Sequence, residues 1–382
     1  MNAGPLPIQS RSVVAQTAAL PAVRAGDGDD DAWLMDACAE PNPFYLPALL
    51  DPALAMFDAA HAVHLIEARD AHGALIGRLP VTPGNRHGRF PIRHVVNWQH
   101  HHCFFGAPLL RAGHEREGWQ QILAALDAAP WAGPFLHLRG IDADGPVLAA
   151  LRALCAVQGR RFEEVGRYER AMLRSHLDAD AYWTENVRAK KRKELRRLQS
   201  RLAEMGEIVH RHLTDPGELG GWVDAFLRLE AKGWKGEQGT ALGSRPEDTA
   251  FLRAACAAAL DAGLLDMLRI DCAGQPIAML INFANAQGGF SFKIAIDPEF
   301  ARYSPGVLIE QDNLARVLDD RITPWMDSCA AAGHPMIDSL WGERRMIAQY
   351  RIGLDKGLLG SLALSGMSLA ERAYAMIKGA RA

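Results

Sequence analysis

The chain has 382 residues, 49% hydrophobic and 23% charged, with a formal net charge of −3. That length favours two domains over one small core, and the near-neutral charge argues against a dedicated nucleic-acid binder. The six cysteines (38, 103, 155, 256, 272 and 329) include no C-x-x-C pair, which excludes a zinc ribbon and reads as reduced, cytoplasmic usage.

No apolar run approaches the roughly 20 residues that cross a bilayer, so no membrane span is expected. Residues 1–30 carry "VVAQTAALPAV" with no basic segment before it, and run into "RAGDGDDD". They read as a flexible N-terminal tail.

Residues 31–175 read as a first α/β domain. "HAVHLIEARDAHGALIGRLPV" (61–81) predicts a hairpin turning at Asp70–Gly73. Helical spacing covers 115–129, a buried strand 134–141, a helix 146–159 that stops at Gly159, and an extended run 161–173.

Residues 176–382 read as a second domain. Its entry helix, 186–206, places Leu195, Leu198, Leu202 and Met205 on one stripe and a crowd of cations over 188–201 on the other face. Helices at 220–234 and 247–263 lead into a three-strand meander over 264–271, 276–284 and 289–296. A helix over 305–319, a strand over 334–341, a helix over 343–353, a strand over 356–366 and a terminal helix over 367–380 complete the expected order.

The junction "ARYSPGVLIE" (301–310) carries the first functional signal. Serine is a good N-cap, proline suits the first helical position, and glycine permits close approach to the backbone. With Lys293 and Arg302 beside it, this helix N-terminus is an anion site in waiting, or else a plain capped helix. The basic face over 188–201 has only Glu194 as counter-charge, so it is either a solvated surface or the seat of an anionic ligand. His100, His102 and Cys103 in "QHHHCFF" suggest a metal, but no second ligand cluster stands elsewhere, so no metal site is expected.

The second-half order of helices, meander, helix, strand, helix and strand resembles the GNAT (acyl-CoA N-acyltransferase) fold. "LEAKGWKGEQGTAL" (229–242), "FSFKIAIDPEFARYSPGVLIE" (290–310) and "IDSLWG" (337–342) together resemble the CelD/BcsL, or BioF-like, acetyltransferases. "NPFYLPALL" and "HHHCFFGAPLL" resemble the first half of that family. The resemblance covers most of residues 32–366. It implies an α/β architecture of tandem GNAT-like domains, with mixed central sheets flanked by helices, which FemAB aminoacyl transferases share.

The resemblance further implies that Arg302, Ser304, Gly306, Val307 and Leu308 bind the pyrophosphate of acetyl-CoA. Pro305 stands where the family pattern has its first glycine, which leaves that cradle one N–H fewer. The attacking amine must lose a proton, for which Glu230 and then Asp297 are the candidate bases. Lys293 would stabilise the oxyanion and Tyr303 would protonate the leaving thiolate. Trp234, Lys235, Asp338 and Trp341 are the candidate acceptor contacts. Each also has an ordinary reading, as core, cap or surface.

The expected activity is direct acyl transfer to an amine or hydroxyl of a sugar or cell-envelope, exopolysaccharide precursor. The alternatives are a Fem-type transferase that uses aminoacyl-tRNA, which the basic helix would bind, and a non-catalytic scaffold of a polysaccharide-synthesis complex.

Overall fold

A computed structural model describes residues 17–18, 33–355, 357, 362 and 366. In chain order the strands are β1 (Thr17–Ala18), β2 (His64–Arg69), β3 (Leu75–Gly84), β4 (His94–Asn97), β5 (Leu109–Leu110), β6 (Phe135–Asp142) and β7 (Phe162–Leu173). They continue as β8 (Ile208–His212), β9 (Leu265–Cys272), β10 (Gln275–Ala284), β11 (Gly289–Ile296), β12 (Met326–Asp327) and β13 (Glu343–Gly353). The helices are α1 (Trp33–Asp36), α2 (Pro47–Phe57), α3 (Glu115–Ala128), α4 (Pro146–Gln158), α5 (Ala179–Asn186) and α6 (Ala189–Ala203). After them come α7 (Leu219–Lys232), α8 (Trp234–Glu237), α9 (Pro246–Asp261) and α10 (Pro305–Leu318).

One mixed sheet runs β1-β2-β3-β4-β6-β13-β7-β12-β11-β10-β9-β8, with β5 alongside β3. This is the expected α/β architecture, a mixed sheet flanked by helices. Local chemistry explains much of it. The Asp70 carboxylate accepts from the His72 and Ala74 N–H groups and closes the β2–β3 turn. Pro146 opens α4, and Gly159 ends it in the left-handed region. Ala273 and Gly274 both take positive φ, as a tight β9–β10 turn requires.

Two expectations need correction, and a third falls outside the described residues. Residues 343–353 form a strand, not a helix, paired to β6 on one side and β7 on the other. A register shift between Gln349 and Tyr350 lets Ile347 and Tyr350, three apart, both be buried, which imitates helical spacing. Residues 334–341 are not a strand but hold a 3-10 turn, Ile337–Ser339, whose Leu340 and Trp341 enter the core. The strand that follows α10 is instead the two-residue β12. Lastly, the expected strand 356–366 and helix 367–380 lie outside the described residues, except that 357, 362 and 366 are helical.

Because β13 pairs with β6 and β7, the end of the second half completes the sheet of the first. Its anchor is a buried ionic network. Arg345 donates to Asp142 (2.7 Å), Asp327 (3.0 Å) and Glu40 (3.0 Å), and its guanidinium lies 4.2 Å from the Phe105 ring centroid. Arg170, the register partner of Arg345 on β7, donates to Asp327 at 2.6 Å and to the Phe104 carbonyl at 2.7 Å. Burial pushes the Glu40 carboxyl up to about 8. A neutral Glu40 leaves two arginines facing two carboxylates, the balance a dry interior requires.

Close packing also fixes the first half. The Gly106 N–H donates to the Gly140 carbonyl at 2.7 Å, and a Cβ at Gly106 would stand 2.2 Å from the Arg139 carbonyl oxygen. Gly106→Ala is therefore expected to lower stability by about 1–3 kcal/mol, read as a lower urea midpoint. An unchanged midpoint would mean the β4–β6 backbone yields freely.

Candidate functional site

The site begins with a pairing that stops. β11 runs parallel to β12 for two residues only, Gly289 with Met326 and Phe290 with Asp327. From Ser291 to Ile296 the β12 side of β11 has no strand partner among the described residues, so alternate backbone N–H and C=O groups face the wedge where the two strands part. The other side of β11 stays paired to β10, with a bulge. Ile281 opposes Lys293 and Asn282 opposes Ser291, which leaves Phe292 as the extra residue.

That bulge sets which side chains face where. Ile294 and Ile296 reach toward α10, where a Cβ at Gly306 would meet them at 3.7 and 3.5 Å. Lys293 points to the other face, its ammonium 5.2 Å from the Phe104 ring centroid and 5.6 Å from that of Phe292. Half-buried against two aromatic faces, this cation is held at the wedge rather than free in solvent.

The junction into α10 departs from the expected cap. Ser304 adopts φ 57°, ψ 48°, and its side chain makes no capping bond. Its carbonyl oxygen instead accepts from the Val307 N–H (2.9 Å) and the Leu308 N–H (3.3 Å). Two of the three amides expected to cradle a phosphate are thus turned into the helix. The left-handed serine is a local strain concentrated at the mouth of the wedge. Arg302 is exposed, its guanidinium 4.8 Å from the Tyr303 ring centroid, while Tyr303 is buried among Leu202, Leu308 and Ile309.

The basic helix reaches this mouth. Lys191 donates to Ser339 Oγ at 2.6 Å, Ser339 Oγ donates to the Met336 carbonyl, and Met336 Sδ would lie 3.1 Å from a Gly306 Cβ. The N-terminal ends of α6 and α10 are therefore joined through the 336–339 turn. Lys190, Lys193, Arg196 and Arg201 are exposed along α6, and Arg197 pairs with Glu194. The apolar stripe holds at Leu195 and Leu202, but the helix ends at Ala203 and Met205 is exposed.

Both expected bases are occupied. Glu230, buried on α7, accepts from the Leu242 N–H at 2.8 Å and so fixes the loop after α8. Asp297, also buried, caps the Pro298–Tyr303 turn through the Glu299 N–H and pairs with Lys232 at 2.8 Å. Asp338 is half-buried, and Trp341 is buried in the core around Tyr182 and Leu340. Trp234 and Lys235 fall in α8, with side chains outside the described residues.

A different carboxyl fits the work of a base. Glu310 lies one turn beyond Gly306 on the same face of α10 and is almost fully buried. Its Oε2 accepts from Asn313 Nδ2 at 3.1 Å, and Asn313 in turn meets Asn282 on β10 at 2.9 Å and Met326 Sδ on β12. Glu310 thus lies beneath β11 at the level where the pairing with β12 ends. Burial pushes its carboxyl up to about 7, the range that suits proton transfer near neutral pH. The available sequence signal is an acid at the i+4 position from Gly306 on a buried stripe.

Comparisons with known proteins bear on the fold and on the second half of the chain. Residues 189–345 match the sequence profile of the family described as acetyltransferase (GNAT) domain. Over 89% of this chain and 98% of the other, the structure is similar to FemX, with a TM-score of 0.58 and 9% identity. It is similar over 90% of this chain to a conserved protein of unknown function from Bacteroides thetaiotaomicron VPI-5482. There the TM-score is 0.56 at 12% identity, with all of that chain covered. At these identities the likeness is one of fold. No curated protein matches the sequence. Among the described residues no helix is long and apolar enough to cross a membrane.

Proposed function

We propose that this protein is a GNAT-type acyltransferase that moves an acetyl or other acyl group from acyl-CoA to an amine or hydroxyl. The observation that carries this reading is the open edge of β11 leading to the N-terminus of α10. The acyl carbonyl would accept from backbone N–H groups of the 291–296 edge, which stabilise the oxyanion as the nucleophile adds. Glu310 would take the proton of the attacking group, directly or through water, and the thiolate of CoA would leave. Lys293 adds positive potential beside the wedge. Lys191, Arg302 and the exposed cations of α6 would bind the phosphates of the donor. The resemblance to CelD/BcsL proteins supports a sugar or cell-envelope precursor as acceptor and a cytoplasmic site of action.

The test is calorimetry with acetyl-CoA on the intact protein and on Gly306→Glu. Binding to the first and at least tenfold weaker binding to the second, with the variant still folded by circular dichroism at the assay temperature, is the expected result. No binding of any of several acyl-CoAs to the intact protein would overturn the reading.

One observation favours a second reading. The Ser304 carbonyl occupies two of the first-turn amides, which weakens the phosphate cradle, while the cations of α6 remain exposed. A Fem-type transferase using aminoacyl-tRNA needs the second feature more than the first. Its mark would be tRNA binding that falls steeply as salt rises, lost when Lys190, Lys193 and Arg196 become alanine. A scaffold role would show as cellular function retained in Glu310→Gln and Lys293→Ala.

A further inference from the structure

From the placement of three histidines in the first half, we infer a transition-metal site formed by His87, His94 and His137, apart from the β11 wedge. One ring nitrogen from each lies within 4.8 Å of the others. His94 starts β4 and His137 lies on β6. The two strands pair in parallel, Val96 opposite His137, so the sheet register itself brings these rings to one place. His87 comes from the β3–β4 loop, where it bridges to Phe90 and sets its ring edge-on to His137, centroids 4.7 Å apart.

The surroundings prepare the rings as ligands. His94 Nδ1 lies 3.1 Å from the Ile92 carbonyl oxygen, which can only accept, so Nδ1 carries the proton and Nε2 keeps its lone pair. His137 Nε2 lies 3.2 Å from Gln349 Oε1, which leaves Nδ1 of that ring with the lone pair. Outer partners of this kind are what fix the tautomer and orientation of metal-binding imidazoles. Phe135 stacks on His94 at 4.9 Å between centroids and holds its plane. Gly84 completes the fit, since a Cβ there would stand 2.6 Å from His94 Cε1 and 2.8 Å from Nε2 and displace the ring.

Three neutral imidazoles without a carboxylate select a borderline d-block dication such as Zn²⁺ or Co²⁺ over Mg²⁺ or Ca²⁺. Zinc–nitrogen bonds of about 2.0–2.1 Å place tetrahedral ligands ~3.4 Å apart, so nitrogens within 4.8 Å of one another must close by at most about 1.4 Å. The loop residue His87 supplies that movement. Because His87 and His137 are only half-buried, the fourth position of the ion faces solvent and takes water or an external ligand. The sequence motif "QHHHCFF" suggests a metal at first sight, although none is expected from the sequence. There His101 and His102 both contact Asp248 Oδ1, at 2.6 and 3.2 Å, while Cys103 Sγ turns to the Phe105 carbonyl. Those three groups also lie close together, but His101 is exposed and already hydrogen-bonded to Asp248, so the trio serves as the comparison in the test.

The experiment is titration of the EDTA-treated full chain with Co²⁺, followed by visible absorption, and then displacement by Zn²⁺. One equivalent should bind with the ligand-field bands of a low-coordinate site. His87→Ala, in a half-exposed loop, should weaken binding roughly a hundredfold, and His101→Ala should leave it unchanged. Gly84→Ala should weaken it while the His87 loop stays intact. No saturable equivalent, or binding lost in His101→Ala and kept in His87→Ala, would overturn the inference.

Discussion

Asp327→Ala is expected to destabilise the protein by about 3–5 kcal/mol, the cost of leaving buried arginines without their carboxylate. Asp327 is fully buried, and one oxygen, Oδ2, takes bonds from both Arg170 and Arg345. Its other oxygen accepts from the Cys329 N–H and fixes the chain just after β12. Removing it leaves two guanidiniums side by side on adjacent strands, with Glu40 and Asp142 reaching only one of them. The measurement is urea unfolding, with Asp320→Ala as the comparison. Asp320 pairs with Arg316 at the surface, where such a pair contributes about 0–1 kcal/mol. Equal effects of the two substitutions would show that the network does not bear on stability. Because β12 forms the base of the wedge, a folded Asp327→Ala protein should also bind acyl-CoA more weakly.

The second large effect is a pH-dependent gain in Glu310→Gln. The carboxyl of Glu310 sits near 7 when folded and near the ordinary 4.5 when unfolded. Below about pH 4.5 it is protonated in both states and costs nothing. Between 4.5 and 7 the unfolded chain releases its proton first, so stability falls as pH rises, and above 7 the full penalty stands. The stability difference between Glu310→Gln and the parent should therefore grow from near zero at pH 4.5 to on the order of 3 kcal/mol at pH 8. The difference between the two proteins matters because other groups titrate too. His100 and His137 are held down to about 3 by burial, which makes stability rise with pH until the unfolded imidazoles lose their protons near 6.5. Glu40, near 8 when folded and 4.5 when unfolded, adds a further fall across pH 4.5 to 8. A flat difference across this range would mean that Glu310 is solvated and unfit as a base. The same substitution should abolish the limb of the rate profile near pH 7 once an acceptor is in hand.

The amino-acid sequence by itself determined the elements that local chemistry closes. Asp70 and Gly73 turn the first hairpin, Gly159 and Gly263 follow helix ends, and period-two apolar runs mark the β9–β10–β11 meander. These signals act within a few residues, so they survive without the rest of the chain. The Ser304–Gly306 junction was legible for the same reason, as was the cationic face of α6.

What only the tertiary structure decided depends on partners far away in sequence. β12 is two residues long and has no pattern of its own, yet its short parallel register defines the wedge. β13 looked helical because a bulge shifts its buried positions, and it becomes a strand by hydrogen bonding to β6 and β7 at once. Glu230 and Asp297 read as available bases until the Leu242 N–H and Lys232 occupied them. Glu310 gained its raised carboxyl, and His87, His94 and His137 their proximity, only when strands remote in sequence came together. Proton affinity and ligand geometry are set by burial and by neighbours, and both are properties of the folded sheet rather than of any segment within it.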